Sequence, residues 1–306
     1  MENNEEILTS YLEFCAKQKR LDAKTIKAYR TDLMQFFLII SPSGLSQVTP
    51  YILEAYIRKL HALYRPKSVK RKIASVKALF FYLECREVLT FNPWHRVQTK
   101  FREAQTLPRT IALDNIRRIL ETVYKQINDA KTEYRKRNAL RDAAVCELLF
   151  ATGMRIFELC SLTPCDVDLT ENTVFVRGKR AKERILQIGN TQVHDILFKY
   201  KTAYASEIVS CNRFFVSQSG RPFSDQAVRR MLNNYARLAR IDQHITPHMF
   251  RHTFATLLLE ADVDIRYIQE MLGHSSIHTT EIYTHVSMAK QKAILCTKHP
   301  RNAFRI

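Results

Sequence analysis

The stretch TVFVRGKRAKERILQIG, residues 173–189, is where a chain that otherwise reads as helical changes its period. Val174 and Val176 alternate with polar or aromatic neighbours, and Ile185 to Ile188 form a second short run. Each half reads as a strand, and Gly178 with the charged residues after it forms the hairpin turn. On either side the spacing is helical. Ile116, Ile119, Leu120, Val123 and Ile127 recur at three- and four-residue steps. Further on, one helix is capped by Ser224, one starts at Thr246-Pro247, and one runs from the Asp264 cap to Gly273. FFVSQSG, 214–220, is a candidate further strand. The polar stretch KQINDAKTEYRKRN, 125–138, reads either as a surface helix extension or as a loop. This part of the chain is therefore expected to be mainly α with a small antiparallel β-sheet.

The chain before it lacks tight backbone turns: of six glycines, five lie after residue 152. Ile26, Tyr29, Leu33, Phe36 and Ile40 share a helical face, as do Val69, Ile73, Val76, Phe80 and Leu83. Asp22 and Thr49-Pro50 supply starts. Helices are predicted near 5–19, 23–40, 50–63 and 66–85. NPWHRVQTKFREAQTLPRT, 92–110, has two prolines and no sustained period, so it reads as a linker. The expected organisation is a helical domain over 1–91, the linker, a second domain over 111–286 and a tail over 287–306.

With 306 residues the chain is long enough for two domains. Its formal net charge of +18 comes from 48 Lys and Arg against 30 Asp and Glu, and it is shared, with +8 in residues 1–106 and +10 in the remainder. Such an excess repels itself and suits a long polyanion that both parts face. Lys24 and Lys27 fall on the outside of the second helix. Lys67, Lys70, Arg71, Lys72 and Lys77 crowd the start of the fourth. These are candidate phosphate contacts, the alternative being a solvated face. No apolar run is long enough to span a bilayer, and the acidic start has no signal-peptide core. Seven cysteines form no CxxC pair, which reads as reduced thiols and gives no zinc spacing.

Several groups that carry charge or protons sit at turns and helix starts. In ATGMRIFEL, 151–159, Arg155 opens a helix just after Gly153, where free N–H groups favour an anion; the alternative is a bridge from Arg155 to Glu158. Lys179 lies on the hairpin turn, with Lys182 as a rival. In TPHMFRHTFA, 246–255, His248 and Arg251 share a helical face, while His252 is a candidate for inward packing. A helical His pair could suggest zinc, but no third ligand supports it. In MLGHSSIHTTEIYTH, 271–285, His274 follows a helix-ending glycine and Tyr283 ends a short helical stretch.

In this order these motifs, ATGMRIFEL, RGKRAKERI, TPHMFRHTFA and MLGHSSIHTTEIYTH, resemble the tyrosine recombinase, or phage integrase, family. DAKTIKAYRTDL, 22–33, is similar to the family's N-terminal core-binding domain. The compact layout is most similar to Xer-type members and small mobile-element integrases. The resemblance implies a two-domain clamp around double-stranded DNA at specific recombination sites. It implies Tyr283 as nucleophile, Arg155 and Arg251 on the non-bridging phosphate oxygens, His248 as proton acceptor, Lys179 as general acid, and His274 orienting phosphate and tyrosine. Neither metal nor ATP is implied as cofactor. It further implies a protein of the bacterial cytosol, monomeric or weakly associated when free and tetrameric on DNA, whose tail docks onto a neighbouring subunit; a frayed tail is the alternative. Two other readings of the chain are a type IB topoisomerase and a non-catalytic DNA-binding regulator.

Overall fold

Thr49 starts a helix as its place before Pro50 predicts: its side chain accepts from Ile52 N, and Pro50 occupies the first turn, where no N–H is required. Asp22 caps the preceding helix by accepting from Thr25 N at 2.9 Å. The computed structural model of the chain describes residues 4–40, 44–101, 109–178, 183–273 and 288–303. The chain falls into two units, residues 1–106 and 107–306.

The first unit is built from α1 (Asn4–Lys17), α2 (Ala23–Ile40), α3 (Pro50–Leu63) and α4 (Pro66–Cys85). Tyr11, Phe36, Leu53, Val76 and Phe80 fill its core. Phe36 packs edge-on against Tyr56 and Phe80, with centroids 5.0 and 5.9 Å away. The stretch expected as linker begins as part of this unit. Asn92 caps a 3-10 turn over Pro93–Arg96, and Trp94 is buried edge-on against Phe80. Phe101 meets His61 edge-on at 4.6 Å. An indole with a large apolar area to bury holds this segment on the domain.

The basic cluster of α4 divides in the same way. Lys67, Lys70, Arg71 and Lys77 are exposed, as are Lys24 and Lys27 on α2. Lys72 is 3% exposed. It shares the buried face with Val69, Ile73 and Val76, donates to Asp32 Oδ1 at 3.1 Å and to Gln35, and lies over the Tyr64 ring. Arg71 and Ser75 also bond the fully buried Asp32. Lys72 is therefore not on the exposed basic surface. It neutralises a carboxylate that burial would otherwise penalise.

The second unit is organised around α6 (Glu133–Thr152), whose residues 139–152 are all buried. A helix stretch buried on every side requires cover all round, with partners for the charges it carries. α5 (Leu113–Asn128), α8 (Thr191–Ala203) and α11 (Pro247–Glu260) provide it. The 125–138 stretch is the end of α5, a turn, and the start of α6, where Thr132 accepts from Arg135 N. The remaining helices are α7 (Ile156–Ser161), α9 (Ala205–Cys211), α10 (Asp225–Leu238), α12 (Ile265–Leu272) and α13 (Met288–Lys298).

The sheet has three antiparallel strands in the order β1 (Val167–Asp168), β2 (Thr173–Arg177), β3 (Glu183–Gln187). Val174 pairs with Leu186, and both face the core with Val176. β1 went unread in the sequence, being two residues long. The candidate strand at 214–220 is instead a loop, buried over its first three residues, with a single bridge between Val216 and Pro222. Phe214, Phe215 and Val216 are all fully buried, so no alternation develops there.

The tail docks on its own chain. Leu295 and His299 are buried, and the Arg301 Nε and Nη2 atoms donate to the Glu147 carboxylate at 3.0 and 2.9 Å. A carboxylate within the wholly buried part of α6 needs a cation, and Arg301 supplies it.

Candidate active site

α6 ends where Gly153 takes a left-handed conformation, with φ 59°. A Cβ there would lie 2.6 Å from the Phe254 ring, so only glycine lets the chain turn this close to α11. Two residues later Arg155 caps α7. Glu158, one turn into α7, accepts from Arg155 N at 2.8 Å and from Arg155 Nη1 at 2.9 Å. The bridge considered from sequence therefore exists, yet the Arg155 side chain keeps 36% of its surface open.

Arg251 comes from α11, which Thr246 and Pro247 start. It lies on the buried face with Phe250 and Phe254. Its Nη1 donates to Gly153 O at 2.9 Å and its Nη2 to Leu272 O at 2.6 Å. Leu272 is the last residue of α12, which Gly273 closes with φ 63°. Arg155 donates to the same Leu272 O at 3.4 Å and to Gly273 O at 3.3 Å. A third arginine, Arg184 of β3, donates Nε to Met271 O at 2.8 Å and both Nη atoms to the Glu158 carboxylate, at 3.1 and 2.7 Å. The partial negative charge of a helix C-terminus favours guanidinium groups at these carbonyls.

Two guanidinium groups, those of Arg155 and Arg184, thus bond one carboxylate, and a third, Arg251, feels its charge. Burial and then Arg155 push Arg251 down to about 9, with Arg184 adding to the repulsion and Glu158 opposing it. His248 is reachable from solvent at the start of α11. Partial desolvation, then Arg229, His252, Arg251 and Arg155, hold its pKa below the ordinary histidine value. The imidazole is neutral near pH 7 and can accept a proton. His252 is exposed and not packed inward, because it falls one position beyond the buried Arg251 on the outer face. A cluster with this excess of positive charge suits a phosphate, which planar guanidiniums meet through two parallel hydrogen bonds.

The structure thus brings Arg155, His248 and Arg251 together. Lys179, its rival Lys182, His274 and Tyr283 lie outside the described residues. Sequence reasoning did not assign Arg184 or Glu158 to the site. The one available signal was a glutamate three residues after a helix-opening arginine. It also passed over α10, which buries Val228, Met231, Leu232 and Tyr235 and exposes Gln226, Arg230, Asn234 and Arg237. Arginine and amide side chains on one helical face have the donors and acceptors that base edges display. Among the described residues, no group of three or more His, Cys, Asp and Glu side chains could hold a metal ion. No helix among them is long and apolar enough to cross a membrane.

Residues 117–290 match the phage integrase family, and residues 8–87 match the phage integrase N-terminal SAM-like domain. The chain is 60% identical over 304 residues to a tyrosine recombinase of Agathobacter rectalis, covering 99% of each protein. It is 32% identical to tyrosine recombinase XerC of Thermodesulfovibrio yellowstonii, covering 98% of each. Its fold is similar to that of the XerH site-specific recombinase in a post-cleavage complex with a palindromic difH substrate. The TM-score there is 0.72 at 18% identity, over 97% of this chain and 82% of the other.

Proposed function

Because the chain belongs to the phage integrase family, we propose that it is a tyrosine-type site-specific DNA recombinase that breaks and rejoins strands through a covalent 3′-phosphotyrosine. The observation that carries this reading is the convergence of Arg155 and Arg251 on Leu272 O, beside a neutral His248. Attack on a phosphodiester builds a five-coordinate phosphorus with extra negative charge. Two preorganised guanidiniums stabilise that charge without reorganising as it develops.

The reaction balances as follows. The Tyr283 phenol oxygen bonds to phosphorus and its proton passes to His248. The bond from phosphorus to the 5′ oxygen breaks, and Lys179 protonates that oxygen. His274 bonds the phosphate. Strand exchange runs the same steps in reverse, with a 5′-hydroxyl of the partner duplex attacking the phosphotyrosine. The intermediate conserves the phosphodiester bond energy, so the exchange needs no ATP. The protein acts in the bacterial cytosol on double-stranded DNA, assembling as two dimers across paired sites. Lys24, Lys27, Lys67, Lys70, Arg71 and Lys77 track the backbone of the duplex. These assignments rest on the family match and on the exposed positions of those cations.

The test is covalent trapping. Duplexes selected for binding from a random-sequence pool are nicked near the centre, so that the cleaved strand diffuses away. Wild-type protein is expected to form a protease-sensitive adduct at the 3′ phosphate, and Tyr283→Phe to form none. An adduct that persists in Tyr283→Phe, or its absence with wild type, overturns the reading.

A further inference from the structure

Arg184 differs from Arg155 in how it is used. Its side chain is only 10% exposed, against 36% for Arg155. Nε, Nη1 and Nη2 are all committed, one to Met271 O and two to Glu158. Gly273 lies against it so closely that a Cβ there would come within 3.1 Å of Arg184 Nη1. Arg155 holds the α12 carbonyls only at 3.3 and 3.4 Å, contacts that a phosphate oxygen can replace. Arg184 is therefore held to the protein through all three side-chain nitrogens and is nearly closed to solvent, whereas Arg155 keeps more than a third of its side-chain surface open to substrate.

We propose that Arg184 is a positioning residue of the phosphate cradle: it fixes Glu158, and through Glu158 the Arg155 guanidinium, against the C-terminal end of α12 without touching the phosphate. The inference rests on the recombinase reading above and adds to it the device that aims Arg155. Glu158 is 3% exposed. The charged groups that face it are Arg155 from the start of α7, Arg184 from β3 and Arg251 from α11. Burial opposes its ionisation, and Arg184 is the strongest of the partners that keep it ionised. With Arg184 removed, Glu158 takes up a proton at higher pH than before. A protonated Glu158 no longer accepts both the backbone and side-chain N–H groups of Arg155 as a carboxylate does, and the cradle loosens.

The test is single-turnover adduct formation by full-length protein on the nicked duplex between pH 5 and pH 8. The variants are Arg184→Met, Arg184→Lys and the double variant Arg184→Met with Glu158→Gln, with thermal melting run on each. The ratio of variant to wild-type rate cancels the titration of His248, whose charged neighbours are Arg229, His252, Arg251 and Arg155. For Arg184→Met the ratio is expected to fall on the acid side, by about tenfold per pH unit once Glu158 is mostly protonated. Arg184→Lys, which keeps the charge without the fork, falls later. The double variant is slow but shows a flat ratio, because glutamine does not titrate. A flat ratio for a folded Arg184→Met, or a wild-type rate, overturns the proposal. If Arg184→Met fails to fold, the folded Arg184→Lys decides in the same way: an acid-side fall supports the proposal and a flat ratio overturns it. Failure of the wild type to form any adduct would instead sink the recombinase reading.

Discussion

Arg301, three residues beyond the end of α13, and Glu147, in the middle of α6, form an ion pair in which neither side chain has any exposed surface. Tyr124 donates a further hydrogen bond to Glu147 at 2.9 Å. A pair this deep contributes less through its attraction than through what its loss leaves behind. Arg301→Met is therefore expected to destabilise the second unit by about 3–5 kcal/mol, the penalty for an unpaired buried carboxylate. Adding Glu147→Leu should recover most of that loss. Urea unfolding of the three proteins checks it, and an Arg301→Met variant as stable as wild type would show that Glu147 finds water or another cation.

The same tail carries a pH response. His299 Nε2 lies 3.0 Å from Phe150 O, and His299 Nδ1 accepts from Arg301 N at 2.9 Å. That pattern requires the neutral ring, protonated on Nε2 only. Burial lowers its pKa from 6.5 to about 4. An undocked tail takes up the proton near 6.5, and the docked tail only near 4. Docking is thus at full strength above about pH 6.5 and weakens as pH falls toward 4, by roughly 3 kcal/mol in all. Amide hydrogen exchange over residues 288–303, corrected for intrinsic rates, should quicken between pH 7 and pH 5. His299→Gln should remove that dependence.

What could be read from the sequence was what local chemistry encodes. Thr49-Pro50, Thr246-Pro247 and Asp264 with Gly273 each start or stop a helix through atoms within a few residues, and the helices lie where those signals put them. Arg155 and Arg251 were legible because a helix start and a helical face define them. The rest depended on partners distant in the chain. Nothing within a turn of Lys72 says that Asp32 waits forty residues earlier. The Arg184–Glu158 pair spans 26 residues and a change from helix to strand. The Arg301–Glu147 pair spans 154, so nothing near Arg301 in the sequence points to its partner.

Lys72 and Lys77 sit five residues apart on α4 and should behave oppositely. Lys77 is exposed, whereas Lys72 is buried against Asp32. Lys77→Gln is expected to leave the fold intact and to reduce the slope of log K against log salt for DNA binding by about 0.9, the counterion released per phosphate contact. Lys72→Gln is expected to lower the melting temperature of the first unit while leaving that slope unchanged for the protein that remains folded. Filter binding over a salt series, with melting curves in parallel, separates the two. A reduced slope for Lys72→Gln would place that ammonium on the DNA after all.

Gly153 couples a left-handed turn to the proposed phosphate cradle, because its carbonyl is one of the two acceptors, among the described residues, that hold Arg251. In Gly153→Ala the new methyl would meet the Phe254 ring at 2.6 Å, and the left-handed backbone would disfavour alanine by about 1 kcal/mol or more. The turn must shift, and the Gly153 carbonyl with it. Adduct formation is then expected to slow, approaching the 10²–10³-fold loss typical when one preorganised donor is misplaced. Binding to uncleaved DNA at low salt should stay within about threefold, since it depends on many phosphate contacts. Phe254→Leu in the same chain relieves the clash but not the strained backbone, so it should restore part of the rate. If Gly153→Ala weakens binding and cleavage equally, the turn supports the fold as a whole and has no particular hold on Arg251.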